Sequence, residues 1–173
     1  MNPILQIDTS TADVWVIRAG VRGTAEKYFK KKNRAVLEDP GLGDLNKIEP
    51  DRNAFYEAYR SIRPEETPTG ISGIGGKFFR FVHEIKSGDI VVYPSIRDRL
   101  IHIGLFEGEY EYVPTDAPFS HQRGVSWICY FPKASLTQGA QYELGAARTL
   151  YKYKKHVGEI FSVIGKIQQK ETT

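Results

Sequence analysis

The chain carries a single cysteine, Cys129, among 173 residues. No internal disulfide can form, and zinc sites built on paired thiols are excluded. Cys129 lies in an apolar stretch, where a lone cysteine reads as a small buried hydrophobe rather than a nucleophile. A reducing compartment, and so a cytoplasmic location, is the expectation. Long apolar runs are missing as well. None approaches the roughly 20 residues of a membrane helix, so no membrane contact is expected. The first residues, MNPILQIDTST, lack a basic start followed by an apolar core, so no secretory leader is expected. Neither charge sign dominates: 24 Lys and Arg stand against 21 Asp and Glu, a net charge of +3. That balance favours polyanions only weakly.

Catalytic signatures are equally scarce. His83, His102, His121 and His156 are scattered singly, without the spacing of a metal site. No Gly-x-Ser-x-Gly elbow occurs. GISGIGGK suggests a phosphate loop but has Ile71 where Gly is needed and Phe78 where Ser or Thr is needed. It reads as a flexible loop over 63–76 that enters a helix over 76–86, with Arg80 and Glu84 facing out. Glu84-Ile85-Lys86 has the acid-x-Lys order of a metal-dependent nuclease, yet it ends an amphipathic helix instead of lying on a strand. Gln168-Gln169-Lys170 is a similar decoy. The expectation is a chain that is not an enzyme and needs neither metal nor cofactor.

What is present is a pattern of short strands. Ser87-Gly88-Asp89 is a tight turn, because Gly tolerates positive φ and Asp bonds nearby backbone. Ile90-Val91-Val92 is a buried strand closed by Tyr93-Pro94-Ser95. Leu100 to Tyr112 is a long strand in which Gly104 and Gly108 mark bulges or close approaches. Before these come a strand at Val14 to Arg18, a helix over 25–32 capped by Thr24, a strand over 34–37 and a helix over 52–62 capped by Asp51. After them come a strand over 122–131, helical turns over 134–144, a strand over 149–153 and a helix over 156–167. Alternation puts Trp15 and Ile17 on one face of the first strand and Val14, Val16 and Arg18 on the other. It puts Val125, Trp127 and Cys129 together on the 122–131 strand. Residues 1–13 read as frayed, 14–166 as one domain and 167–173 as a tail or linker stub. The fold class is α+β, with a curved, mostly antiparallel sheet forming a small open barrel.

Two basic clusters interleave with aromatics: Lys27, Lys30, Lys31, Lys32 and Arg34 with Tyr28 and Phe29, and Lys152, Lys154, Lys155 and His156 with Tyr151 and Tyr153. Each reads either as a solvated face or as a nucleic-acid contact.

Several segments follow one order: VWVIRAG, GLGDLNKI, FFRFVHEIKSGDIVVYPS, LIHIGLFEGEYEY, HQRGVSWICYFPKASLTQ and LGAARTLYKY. In this order the chain, from about Val14 to Tyr153, resembles the N-terminal domain that precedes the nuclease domain in Mrr-type restriction endonucleases. That domain is similar to the PUA-like superfamily, which includes the EVE, YTH and ASCH families. The resemblance implies a PUA-like, EVE/YTH-type barrel flanked by helices. It implies a reader of a modified base in DNA, such as methylated or hydroxymethylated cytosine or methyladenine. The base would be flipped into an aromatic pocket, in the service of restriction or phage defence. The nuclease half is not part of the resemblance, so the expectation is binding without cleavage, alongside a fused or partner nuclease domain. An RNA-binding module of the same fold, a sensor of a small nucleotide-like ligand and a protein-interaction module are the alternatives.

On this reading the base pocket draws on Trp15, Ile17, Arg18, Ala19, Tyr93, Pro94, Ser95 and Trp127. Trp15 and Trp127 read equally as core. Lys31, Lys32, Arg97, Arg99, His121 and Arg123 are the candidates for contacts to the nucleic-acid backbone. The loop from Asp39 to Leu42 is placed to cover the pocket.

Overall fold

The computed structural model describes residues 2–173. Six strands form one sheet: β1 (Val14–Ile17), β2 (Arg34–Leu37), β3 (Ile90–Pro94), β4 (Leu100–Tyr112), β5 (His121–Pro132) and β6 (Leu150–Lys152). Their spatial order is β2-β5-β4-β3-β1-β6. Every neighbouring pair is antiparallel except β1 and β3, which run parallel with Trp15 opposite Val91. Among the described residues five α-helices accompany the sheet: α1 (Glu26–Lys31), α2 (Arg52–Ile62), α3 (Pro68–Phe79), α4 (Gln138–Leu144) and α5 (Val157–Thr172). The protein is thus α+β with a mostly antiparallel sheet, which stays open, with β2 and β6 at its edges. None of the described helices is long and apolar enough to cross a membrane.

The sheet has a core on each face. Alternation along β1 sends Trp15 and Ile17 into one, with Phe29, Phe55, Phe78 and Phe81 of the α1–α3 side. It sends Val14 and Val16 into the other, with Ile160 and Ile164 of α5. Burying a side chain of this size contributes about 1.5–3 kcal/mol. The turn at Ser87-Gly88-Asp89 ties the two halves together. Asp89 Oδ2 accepts bonds from the Trp15 indole nitrogen and the Lys86 amide, both at 2.9 Å, and Oδ1 accepts from the Asp13 amide at 3.1 Å.

Gly104 marks a close approach. A Cβ there would lie 2.7 Å from Val125 Cγ1 and 2.8 Å from Trp127 Cε3, and the β4–β5 register shifts at this point. The shift inserts a residue in β5, since Ile103 faces Cys129 while Gly104 faces Trp127. The expected grouping of Val125, Trp127 and Cys129 therefore fails. The bulge turns Cys129 toward the α5 core while Val125 and Trp127 stay with the other.

Four further expectations are corrected. Of the segment expected to be frayed, residue 1 lies outside the described residues and 2–13 are not frayed: Pro3–Gln6 form a 3₁₀ turn, Ile4 and Ile7 are buried, and Gln168 Nε2 donates to the Ile4 and Ile7 carbonyls at 2.9 and 3.2 Å. The 167–173 tail is the last part of α5, which runs to Thr172. The loop expected over 63–76 becomes helix from Pro68, capped by Thr67 Oγ1 accepting from the Gly70 amide at 3.0 Å. Glycine disfavours helix by about 1 kcal/mol each, so the segment reads as loop. Packing overrides this, because a Cβ on Gly75 would sit 2.9 Å from Tyr56 Cδ1 and 3.2 Å from the Phe55 carbonyl oxygen. Only a bare backbone lets α3 lie this close to α2. After α3 the chain makes a wide turn over Arg80–Glu84. Arg80 does not face out: it is half-buried and its Nη2 donates to the Leu150 carbonyl at 3.1 Å.

Candidate nucleic-acid interface

Beyond Ile17, β1 leaves the sheet through Arg18-Ala19-Gly20 and turns at Arg22, whose φ is 55°. This turn, the end of β2, the flank of α3 and the loops before β5 and β6 enclose a cavity of about 540 Å³. Val36, Leu37 and Phe119 give it apolar and aromatic walls, and Arg18, Arg22, Lys77 and Arg148 face it with four cations against one acid, Glu38. Val21 and Ile96 stand at its mouth, and they are 72% and 56% exposed, which is unusual for large aliphatic side chains.

The cations are held differently. Arg18 Nη2 donates to the carbonyls of Leu144 and Ala146 at 2.8 and 3.0 Å, and Nε donates to that of Arg148 at 3.2 Å. These bonds fix the guanidinium and leave Nη1 without a partner among the described residues. Lys77 is half-buried and has no hydrogen-bond or salt-bridge partner among them. Burial, reinforced by the nearby Arg80, pushes its ammonium below the usual 10.5, while Glu38 pulls the other way. The Lys77 Nζ lies 4.8 Å from the Phe78 ring centre, and a partly desolvated cation without an acidic partner, facing an open cavity, is suited to an anion. Among the described residues no group of three or more His, Cys, Asp or Glu could hold a metal ion.

Of the eight residues expected to form a base pocket, only Arg18 lines this cavity. Trp15 and Ile17 are fully buried in the core, and Ala19 is buried beside them. Trp15 is committed through its indole to Asp89, with Lys152 Nζ 5.1 Å from its ring centre. Tyr93 and Ser95 are buried too, and both donate to the Glu26 carboxylate, Tyr93 at 2.7 Å. Glu26 also meets Lys30 at 3.0 Å and Arg97 at 3.1 Å. Burial alone would raise its pKa, but the Ser95 and Tyr93 hydroxyls and the Lys30 ammonium outweigh it and hold the carboxylate below 4.5. Pro94 stays in the ladder opposite Ile101, and Trp127 donates from Nε1 to the Phe29 carbonyl at 2.6 Å. These are structural positions.

The candidates for backbone contact divide. Lys31, Lys32, Arg97 and Arg99 are exposed, and Arg97 follows Ile96 at the cavity mouth. His121 and Arg123 are buried and cannot touch a nucleic-acid backbone. Arg123 donates to the carbonyls of Phe81 and Gly108 at 3.0 and 2.9 Å. His121 Nδ1 lies 2.8 Å from the Tyr110 hydroxyl. Its Nε2 is 3.1 Å from Asp39 Oδ1, close enough for a charge pair but out of line for a hydrogen bond. Asp39 also accepts from the amides of Gly41, Leu42 and Gly43. The 39–42 loop is thus folded around its own aspartate and does not line the cavity.

A family model described as a domain of unknown function, DUF8426, matches residues 15–154. The chain belongs to this family. No curated protein matches it, and no solved structure does. The DUF8426 stretch contains the whole lining of the cavity, from Arg18 to Thr149. The residues of the DUF8426 domain that sequence reasoning missed are Arg22, Lys77, Phe119 and Arg148. Lys77 stands in the glycine-rich segment that was read as a loop and not as a phosphate loop, and the helix it belongs to was unexpected. Arg148 lies in LGAARTLYKY, which carried part of the resemblance. Nothing local marks Phe119.

Proposed function

We propose that this domain binds nucleic acid and takes one base, turned out of its strand, into the cationic cavity at the end of β1. The observation that carries the reading is the combination there of apolar walls, four cations and a mouth flanked by exposed aliphatics. Its volume of about 540 Å³ lies within the roughly 300–1,000 Å³ of small-ligand sites. Phe119 offers a ring face, and base–aromatic stacking contributes about 1–3 kcal/mol. Lys77 and Arg148 neutralise the phosphate that follows the base inward. Val21 and Ile96 are placed to fill the gap in the stack, as apolar wedges do in other complexes. Extrusion costs a few kcal/mol, which the exposed Lys31, Lys32, Arg97 and Arg99 offset through phosphate contacts.

The resemblance to the domain before Mrr-type nucleases extends the proposal to DNA carrying a modified base, to a PUA-like fold and to a restriction or defence role with a separate nuclease domain. On this reading the chain binds and does not cleave. The test is fluorescence anisotropy on matched duplexes, unmodified and bearing each modified base, at two salt concentrations. At least tenfold preference for one modification, about 1.4 kcal/mol, is expected, with affinity falling steeply with salt. Equal binding to all duplexes overturns the modified-base reading; preference for single-stranded RNA redirects it to RNA.

A further inference from the structure

A second cavity of about 330 Å³ lies beyond Arg148, which lines both. It is bordered by Trp15, Arg52, Arg80, Arg148, Lys152 and Lys154, with Glu84 the one acid. Glu84 is paired to Arg52, and Lys152 Nζ meets Asp13 at 3.2 Å. Arg80, Arg148 and Lys154 have no acidic partner within salt-bridge distance among the described residues. Arg80 Nε is buried and makes no hydrogen bond. The Nη1 atoms of Arg52 and Arg80 each lie 3.2 Å from where a Cβ on Gly76 would be, so the two guanidiniums converge over a bare stretch of α3.

Convergent guanidiniums repel one another, and a buried N–H without an acceptor is costly. Burial, with Arg148 and Arg52 nearby, pushes the Arg80 guanidinium below its ordinary value. One ligand class relieves the repulsion at the converging Nη1 atoms. The guanidinium fork matches the oxygens of phosphate in spacing and charge. We infer that this second cavity is a phosphate-binding site, with Arg80 and Arg52 at its floor and Arg148 and Lys154 at its rim. The inference stands whether or not a base enters the larger cavity.

The test is NMR titration of the full chain with inorganic phosphate at constant ionic strength, read at the Trp15 indole. One saturable site is expected. Arg80→Gln should weaken it at least about tenfold. Lys154→Ala, an exposed change that keeps the fold intact, should weaken it severalfold. Glu84→Gln should tighten it, because it frees Arg52; a merely structural role for these residues would not produce that opposite sign. No saturable response, or equal affinities in Lys154→Ala, Glu84→Gln and the parent chain, overturns the site. A nucleoside 5′-monophosphate and a short single-stranded DNA separate a terminal phosphate from a backbone phosphodiester; saturable binding of either that weakens in Arg80→Gln supports the site, and binding unchanged in that variant counts against it. Phe119→Ala keeps the two readings apart: it should remove discrimination between duplexes and leave inorganic phosphate binding unchanged.

Discussion

Arg123 and Lys77 are both cations taken partly out of water, and they differ in what surrounds them. Arg123 is buried and donates to two backbone carbonyls while its Nε stays unpartnered among the described residues; Asp89, which takes three donors, and Glu26, which takes two hydroxyls and two cations, are fully satisfied. Lys77, Arg148 and Arg80 face cavities without an acidic partner in contact. The difference teaches which charges hold the fold and which wait for a ligand. A satisfied buried charge is costly to remove and inert to solutes; an unsatisfied one costs stability until an anion arrives.

The largest expected effect tests the satisfied side. Asp89→Ala strips acceptors from the Trp15 indole and the Asp13 and Lys86 amides at once, and should cost about 3 kcal/mol or more in urea unfolding. Acid should act on the same side. The folded pKa of His121 is held below 6.5, mainly by burial, so the unfolded chain takes that proton first and stability falls as pH drops below 6.5. Asp39 and Glu26 are also depressed in the fold, from 3.8 and 4.5, and their contribution is lost as pH falls through the folded values. Thermal melts should decline as pH falls from 6.5 toward 4; a rise on acidification would contradict the assignment. Gly104→Ala drives a methyl into Val125 and Trp127 and should cost about 1–3 kcal/mol.

The unsatisfied side predicts the reverse profile. Lys77→Gln should lower nucleic-acid affinity about tenfold with no loss of thermal stability, checked by anisotropy and melting on one preparation. A drop in stability with unchanged binding would erase the distinction. Smallest of all, Arg99→Ala should shift affinity little and reduce the log–log salt slope by about 1.

Much of the fold was legible in the residues themselves. The Asp51 cap and spacing of α2, the bounds of β2 and β4 and the two faces of β1 all follow from local chemistry, since period and capping are properties of consecutive residues. The rest depended on distant neighbours. Helix α3 hid behind its glycines, because their benefit is room for α2. The bulge in β5 turned Cys129 over, because it answers the missing side chain at Gly104 on the neighbouring strand.

The candidate site was less legible. The resemblance suggested a pocket at Trp15 and a strand end suggested one at Tyr93, yet both were claimed by buried carboxylates, Asp89 and Glu26. The cavity walls came instead from Val36, Lys77, Phe119 and Arg148, which are far apart in sequence. By itself, then, the sequence determined the α+β class, the strand periodicity and a stock of cations interleaved with aromatics, because these depend on residue type and local spacing. Only the tertiary structure decided which cations meet a carboxylate and which meet a cavity, because pairing depends on distances in space that consecutive residues do not encode.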